Sequence, residues 1–207
     1  MAAAAALLAV LVAAVPAAAL ADQPTRVTVV AVFDPVTYGE NAYVNGQLIG
    51  DAEAGQPVAL EQSAPPYTDW TPVTQVASDA QGYYSFKLHP TQTMQYRTSS
   101  QGTGSERVVQ IDVAPRIALK ASSAGKTSVR FSGTFAPALA GQSVAIQRRS
   151  TTGSWTTVTT LVLRAGSTFQ GRLRAHRPTD LRAYFAGDPA HLGAYSNKVR
   201  AVPGRRR

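Results

Sequence analysis

Gly55-Gln56-Pro57-Val58-Ala59-Leu60-Glu61-Gln62 and Gly141-Gln142-Ser143-Val144-Ala145-Ile146-Gln147-Arg148 are one pattern written twice, 86 residues apart. In each, a glycine-led turn opens a run whose branched apolar residues fall on alternate positions, the period of a half-buried strand. The register continues in both directions. Upstream, Asn45-Gly46-Gln47-Leu48 aligns with Ser132-Gly133-Thr134-Phe135. Downstream, Trp70-Thr71-Pro72-Val73-Thr74 aligns with Trp155-Thr156-Thr157-Val158-Thr159, Tyr84 with Phe169, Leu88 with Leu173 and Tyr96 with Tyr184. Both copies close alike, on Ser105-Glu106-Arg107-Val108 and Ser196-Asn197-Lys198-Val199. Apolar, tryptophan and turn positions that recur together at 85 to 91 residues mark two tandem copies of one unit.

Each unit reads as strands. Alternation is clear in Val27-Thr28-Val29, in Ser128-Val129-Arg130-Phe131-Ser132 and in Phe169-Gln170-Gly171-Arg172-Leu173-Arg174. Clusters of Gly, Pro, Asn, Asp and Ser separate such runs, and nothing after Ala21 keeps a helical period for three turns. Seven strands fit each copy, the last of the second copy being predicted as one run near residues 196–202. Seven short antiparallel strands in a unit of this length predict an immunoglobulin-like sandwich. The expected fold is therefore all-β: two tandem seven-stranded immunoglobulin-like or fibronectin-III-like β-sandwiches, residues 22–114 and 115–202, after an N-terminal signal helix over 1–21 and before a basic disordered tail at 203–207. The boundary at Val113-Ala114-Pro115 is too short for a floppy linker.

The run G-Q-x-V-A-[LI]-x-[QR], then W-T-x-V, an aromatic strand, a tyrosine and a closing S-x-[RK]-V resembles the bacterial immunoglobulin-like repeats of exported proteins from high-GC Gram-positive bacteria. Thr37-Tyr38-Gly39 is similar to the T-Y-G that often opens the second strand there, whereas copy two reads Ala124-Gly125-Lys126. The preference for arginine (16 Arg, 4 Lys) agrees with such a source. The resemblance implies a surface spacer, adhesive or binding module, and it transfers no catalytic residue.

Met1 to Ala21 carries no charged side chain, Pro16 interrupts the apolar run, and Ala19-Leu20-Ala21 is an A-x-A cleavage pattern. An export signal is expected, although its first residues lack Lys or Arg; left uncleaved, the segment becomes a membrane anchor. The expected location is secreted, extracellular or associated with the cell wall. With no cysteine in the chain, disulfides, thiolate metal sites and a cysteine nucleophile are excluded, so both cores must hold by packing.

The chemistry-bearing residues give little for catalysis. His89 and His176 stand near prolines at matching strand ends, which favours a turn role, and His191 after Asp188-Pro189-Ala190 is a weak D-x-x-H metal pattern. Neither H-E-x-x-H nor G-x-S-x-G occurs, and Gly125-Lys126-Thr127 lacks the upstream glycine of a phosphate loop. Asp51, Glu53, Asp69 and Asp79 are predicted loop acids without counterparts in copy two. A hydrolase using them stands as the least favoured alternative. No cofactor, no metal and no enzymatic activity are expected.

Charge divides unevenly. Residues 22–114 hold four basic and ten acidic side chains, net −6, while residues 115–207 hold sixteen and two, net +14. If Ile117, Leu119, Val129, Phe131 and Leu173 face the core, then Arg116, Lys120, Arg130, Arg172 and Arg174 point outward from one sheet. A basic outer face follows, extended by Arg205, Arg206 and Arg207. Such a face suits polyanions, and in this compartment an anionic cell-wall polymer or glycan, with no nucleic acid expected. The alternative is a carbohydrate-binding module pair in which Tyr67, Trp70 and Tyr83 of copy one stack on sugar rings.

Overall fold

A computed structural model describes residues 23–50 and 53–204, so the predicted signal segment, Asp51 and the arginines 205–207 lie outside the described residues. Every regular element among the described residues is a strand. The first half contains β1 (Arg26–Val27), β2 (Val30–Val32), β3 (Val36–Thr37), β4 (Ala42–Ile49), β5 (Pro57–Ser63), β6 (Thr71–Ala77), β7 (Tyr83–Leu88), β8 (Met94–Ser100), β9 (Thr103–Gly104), β10 (Val109–Ile111) and β11 (Val113–Ala114). The second contains β12 (Arg116–Ser123), β13 (Ser128–Ala136), β14 (Ser143–Arg149), β15 (Trp155–Val162), β16 (Thr168–Arg174), β17 (Thr179–Phe185), β18 (Ala194–Tyr195) and β19 (Val199–Ala201).

Both halves are immunoglobulin-like sandwiches of the same plan. In the first, β1 and β2 pair with β4, and β7 pairs with it as well, while β10-β8-β5-β6 form the facing sheet. In the second, β12-β13-β16 face β15-β14-β17, with β18 and β19 both on β17. With β1 and β2 counted as one broken strand, the fourth strand pairs with the third in each half (β6 with β5, β15 with β14). Antibody constant domains instead place it in the sheet of the first strand. Each sandwich encloses its own apolar cluster, one running from Val27 to Val113 and the other from Ile117 to Ala201. The alternation that produces this is plain in β7, where Tyr84, Phe86 and Leu88 are buried between exposed Tyr83, Ser85 and Lys87.

The repeated anchors have structural reasons. Gly46 lies opposite Tyr84, and Gly133 opposite Phe169. A Cβ at Gly46 would overlap the Tyr84 ring and the Thr28 carbonyl, and one at Gly133 would overlap the Phe169 ring and the Ala118 carbonyl. The glycine in β4 and in β13 is thus the floor on which the aromatic of β7 and of β16 lies. The closing serine also acts twice. Ser105 Oγ accepts from Thr98 N–H at 3.2 Å and Ser196 Oγ from Ala183 N–H at 2.8 Å, while their own N–H groups donate to the carbonyls of the same partners.

Two predicted strands prove to be broken. Val27-Thr28-Val29 was expected as one run, yet pairing stops at Thr28, whose Oγ1 accepts the Gln47 N–H at 2.8 Å. The predicted run at 196–202 starts earlier and splits into β18 and β19, with a one-residue slip in its register on β17. Side chains that take over backbone hydrogen bonds are the cause, as at a bulge. Residues 203 and 204, expected to begin a loose tail, are held: Pro203 is buried and Gly204 N–H donates to Gly125 O at 2.9 Å.

Within the break, Asn197 joins the two sheets. Its Oδ1 accepts from Leu119 N–H at 2.8 Å and its Nδ2 donates to Leu119 O at 3.0 Å. Asn197→Ala should leave both backbone groups of Leu119 unpaired and lower the stability of the second sandwich by about 1.5 kcal/mol, read from its urea midpoint. An unchanged midpoint would show that water replaces the amide without loss.

Candidate anion-binding face

β12, β13 and β16 form the sheet that carries the basic residues singled out from the sequence. Ile117, Leu119, Val129 and Phe131 are buried on its inner side and Leu173 is half-buried. Arg116, Lys120, Arg130, Arg172 and Arg174 occupy the alternate positions and are all exposed. Arg130 stands directly opposite Arg172, Lys120 opposite Ser132, and Arg174 opposite Ser128. Opposed side chains on one face approach to about 5 Å at Cβ, where like charges repel. No outward position of these three strands carries a carboxylate. The two acids of this half are engaged elsewhere, Asp180 at 3.6 Å from Arg200 and Asp188 at 3.0 Å from His191. Among the described residues no carboxylate lies within 4.0 Å of Lys120, Arg130, Arg172 or Arg174.

One of the five stands apart. Arg116 is four residues along β12 from Lys120, about 13 Å at strand spacing. Its guanidinium is 4.0 Å from Glu40 of the first sandwich. Lys120, Arg130, Arg172 and Arg174 form the compact patch.

The three aromatics of the alternative reading do not gather. Tyr67 and Trp70 lie at the turn between β5 and β6, whereas Tyr83 opens β7, at the far end of β6 and in the other sheet. Trp70 is covered on one face by Arg97, whose Cζ is 4.4 Å from the ring centroid and whose Nε donates to Glu61 at 2.7 Å. The second copy repeats this cluster: Arg182 lies 4.3 Å over Trp155 and donates to Gln147 at 2.8 Å. Arg182 also lies 3.9 Å over Tyr195, which stacks on Tyr184 at 4.8 Å. Burial, with a smaller contribution from the Asp112 carboxylate, raises the Tyr67 phenol above its ordinary pKa. The recurring tryptophan thus has a packing role, a cation–π lid on the strand beside it.

The loop acids serve turns. Asp79 Oδ1 accepts from the Gln81 and Tyr83 N–H groups, Glu53 from Gly50 N–H, and Asp69 from the Thr68 hydroxyl. No three metal-ligating side chains gather among the described residues.

His191 does something its sequence did not disclose. It is 6% exposed, with Nδ1 at 3.0 Å from Asp188 Oδ1 and Nε2 at 3.2 Å from the carbonyl of Thr91, a residue of the first sandwich. Thr93 N–H donates to Ala190 O at 2.7 Å and Leu192 N–H to Val113 O at 2.9 Å beside it. The 186–193 loop is clasped to the neighbouring sandwich through one buried imidazole and two backbone hydrogen bonds.

No family model and no curated protein sequence matches the chain. Solved structures with similarity include a tetra-tandem repeat in the extending region of a large adhesion protein, at 14% identity and a TM-score of 0.43, covering 86% of this chain and 49% of that one. The D0-D1 domain of intimin aligns at 11% identity and a TM-score of 0.32, covering 86% and 98% respectively. Invasin, a bacterial integrin-binding protein, aligns at 16% identity and a TM-score of 0.40, covering 85% and 38%. The chain spans about half the length of the first and less of the third.

Proposed function

We propose that this is a non-catalytic, exported tandem immunoglobulin-like protein that acts as a surface spacer or adhesive module. Its units, 22–114 and 115–202, meet at Ala114-Pro115, and the second docks on an anionic envelope polymer through its basic outer face. The bacterial, high-GC Gram-positive source and the cell-wall or extracellular location belong to the same reading. The observation that carries it is the Arg130–Arg172 pair, set face to face beside Lys120 and Arg174 with no carboxylate on the sheet. Guanidinium forks match phosphate and sulfate oxygens, and release of condensed counterions strengthens the association at low salt.

Retention of the full chain on a polyanion resin tests the idea. Lys120→Ser/Arg130→Ser/Arg172→Ser should elute earlier, and its plot of log affinity against log salt should be shallower by roughly two to three. Equal elution of variant and parent would overturn the assignment to this face.

A further inference from the structure

Consecutive strands of a sandwich run in opposite directions, so the first, third, fifth and last strands of a seven-stranded unit finish at the same end. In the second sandwich those finishing strands are β12, β14, β16 and β19; two of them end on arginine-rich stretches and the last carries one arginine. Arg148 and Arg149 close β14, Arg174 closes β16 with His176 and Arg177 just beyond, and Arg200 lies in β19. These side chains surround one concavity of about 900 Å³. The sequence holds the signal for it, in the Arg148-Arg149 doublet and the 174–177 stretch, but only strand direction brings the two together.

Five guanidinium groups face a single carboxylate there. Asp180 is taken up by Arg200 at 3.6 Å, and Arg149 Nε is fixed by the Gly153 carbonyl at 3.3 Å. Arg148, Arg174 and Arg177 have no carboxylate within 4.0 Å among the described residues. Ala175 and Pro178 add an apolar portion to the wall. Ligand-sized clefts run from about 300 to 1,000 Å³, so this one is far larger than a single oxyanion requires. Arg174 also belongs to the basic sheet face, which makes face and cavity continuous.

We propose that this cavity binds a short run of phosphate or sulfate esters carried on a polyol or sugar chain, with arginine forks on the esters and Ala175 and Pro178 against the carbon backbone. The inference rests on the reading of the second sandwich as polyanion-binding. It goes further by separating a site that recognises the ester-bearing unit from a face that only attracts charge.

Calorimetric titration of the full chain with two short probes, inorganic tripolyphosphate and a sulfated tetrasaccharide, tests it. Arg148→Ser/Arg149→Ser/Arg177→Ser should weaken the tighter probe at least tenfold while most retention on a polyanion resin survives. Lys120→Ser/Arg130→Ser/Arg172→Ser should do the reverse. The probe that binds the parent more tightly identifies the ester as phosphate or sulfate. The substituted arginines are exposed, and circular dichroism checks that the fold is kept; the single Arg177→Ser variant should show the same direction of change. Parent-like probe binding in the cavity variant, or a parent chain that stays on the resin but binds neither probe, would overturn the pocket alone. A parent chain that binds neither probe nor resin would overturn the pocket together with the proposed function.

Discussion

Gly133→Ala is expected to destabilise the second sandwich by about 3 kcal/mol, the upper part of the range for overpacked cores. The methyl would overlap the Phe169 ring on one side and the Ala118 carbonyl on the other. A ring can turn away, but the carbonyl belongs to β12, which is hydrogen-bonded to β13 along its whole length. Relief would require parting of the sheet. Gly141→Ala provides the contrast: a Cβ there meets nothing within 4 Å, and only its φ of +87° opposes the substitution, at a cost of about 1 kcal/mol. Urea denaturation of the two variants should show a large and a small shift of midpoint. Equal shifts would mean that the glycine is required for its backbone and not for the space beneath Phe169.

His191→Ala is expected to release one sandwich from the other. The imidazole is the only buried side chain that spans the junction with both of its polar atoms engaged among the described residues, on Asp188 and on the Thr91 carbonyl. Its removal opens a void and leaves those acceptors facing each other, a loss of about 2 kcal/mol from the contact. Each core lies elsewhere, so both units should stay folded while their relative motion grows. NMR relaxation reads this directly: the parent should tumble as one body and the variant as two with shorter correlation times. His89→Ala, at an exposed position, should leave tumbling unchanged. A variant that still tumbles as one body would show that the Thr93–Ala190 and Leu192–Val113 hydrogen bonds are sufficient.

The repeated stretches disclosed the architecture because each repeated residue answers a local demand that two copies share. Gly46 and Gly133 both underlie an aromatic ring, Ser105 and Ser196 both replace a ladder hydrogen bond, and Trp70 and Trp155 both lie under an arginine. Alternation likewise placed Lys120, Arg130 and Arg172 on one outward face. Features produced between distant segments were not legible. The breaks at Thr28 and at 196–198 depend on side chains choosing backbone partners across the sheet. Arg116 shares the outward phase of Lys120, yet the first sandwich brings Glu40 to it. Tyr83 is near Trp70 in sequence, but an intervening strand carries it to the opposite end. His191 reads in sequence only as a weak D-x-x-H pattern because its second partner is a carbonyl 100 residues away.

The short parallel pair of β3 with β11 has a mechanical meaning. Val36 N–H donates to Asp112 O at 2.9 Å and Tyr38 N–H to Ala114 O at 2.8 Å, on the segment that continues past Pro115 into β12. A pull applied between the two ends of the first sandwich draws β3 one way and β11 the other along their common axis. Hydrogen bonds lying across that axis are then strained together instead of being unzipped in turn. The β1–β4 and β2–β4 pairs precede it along the chain and take load from the amino-terminal side first, so the patch is a second point of resistance, separate from the packing of the core.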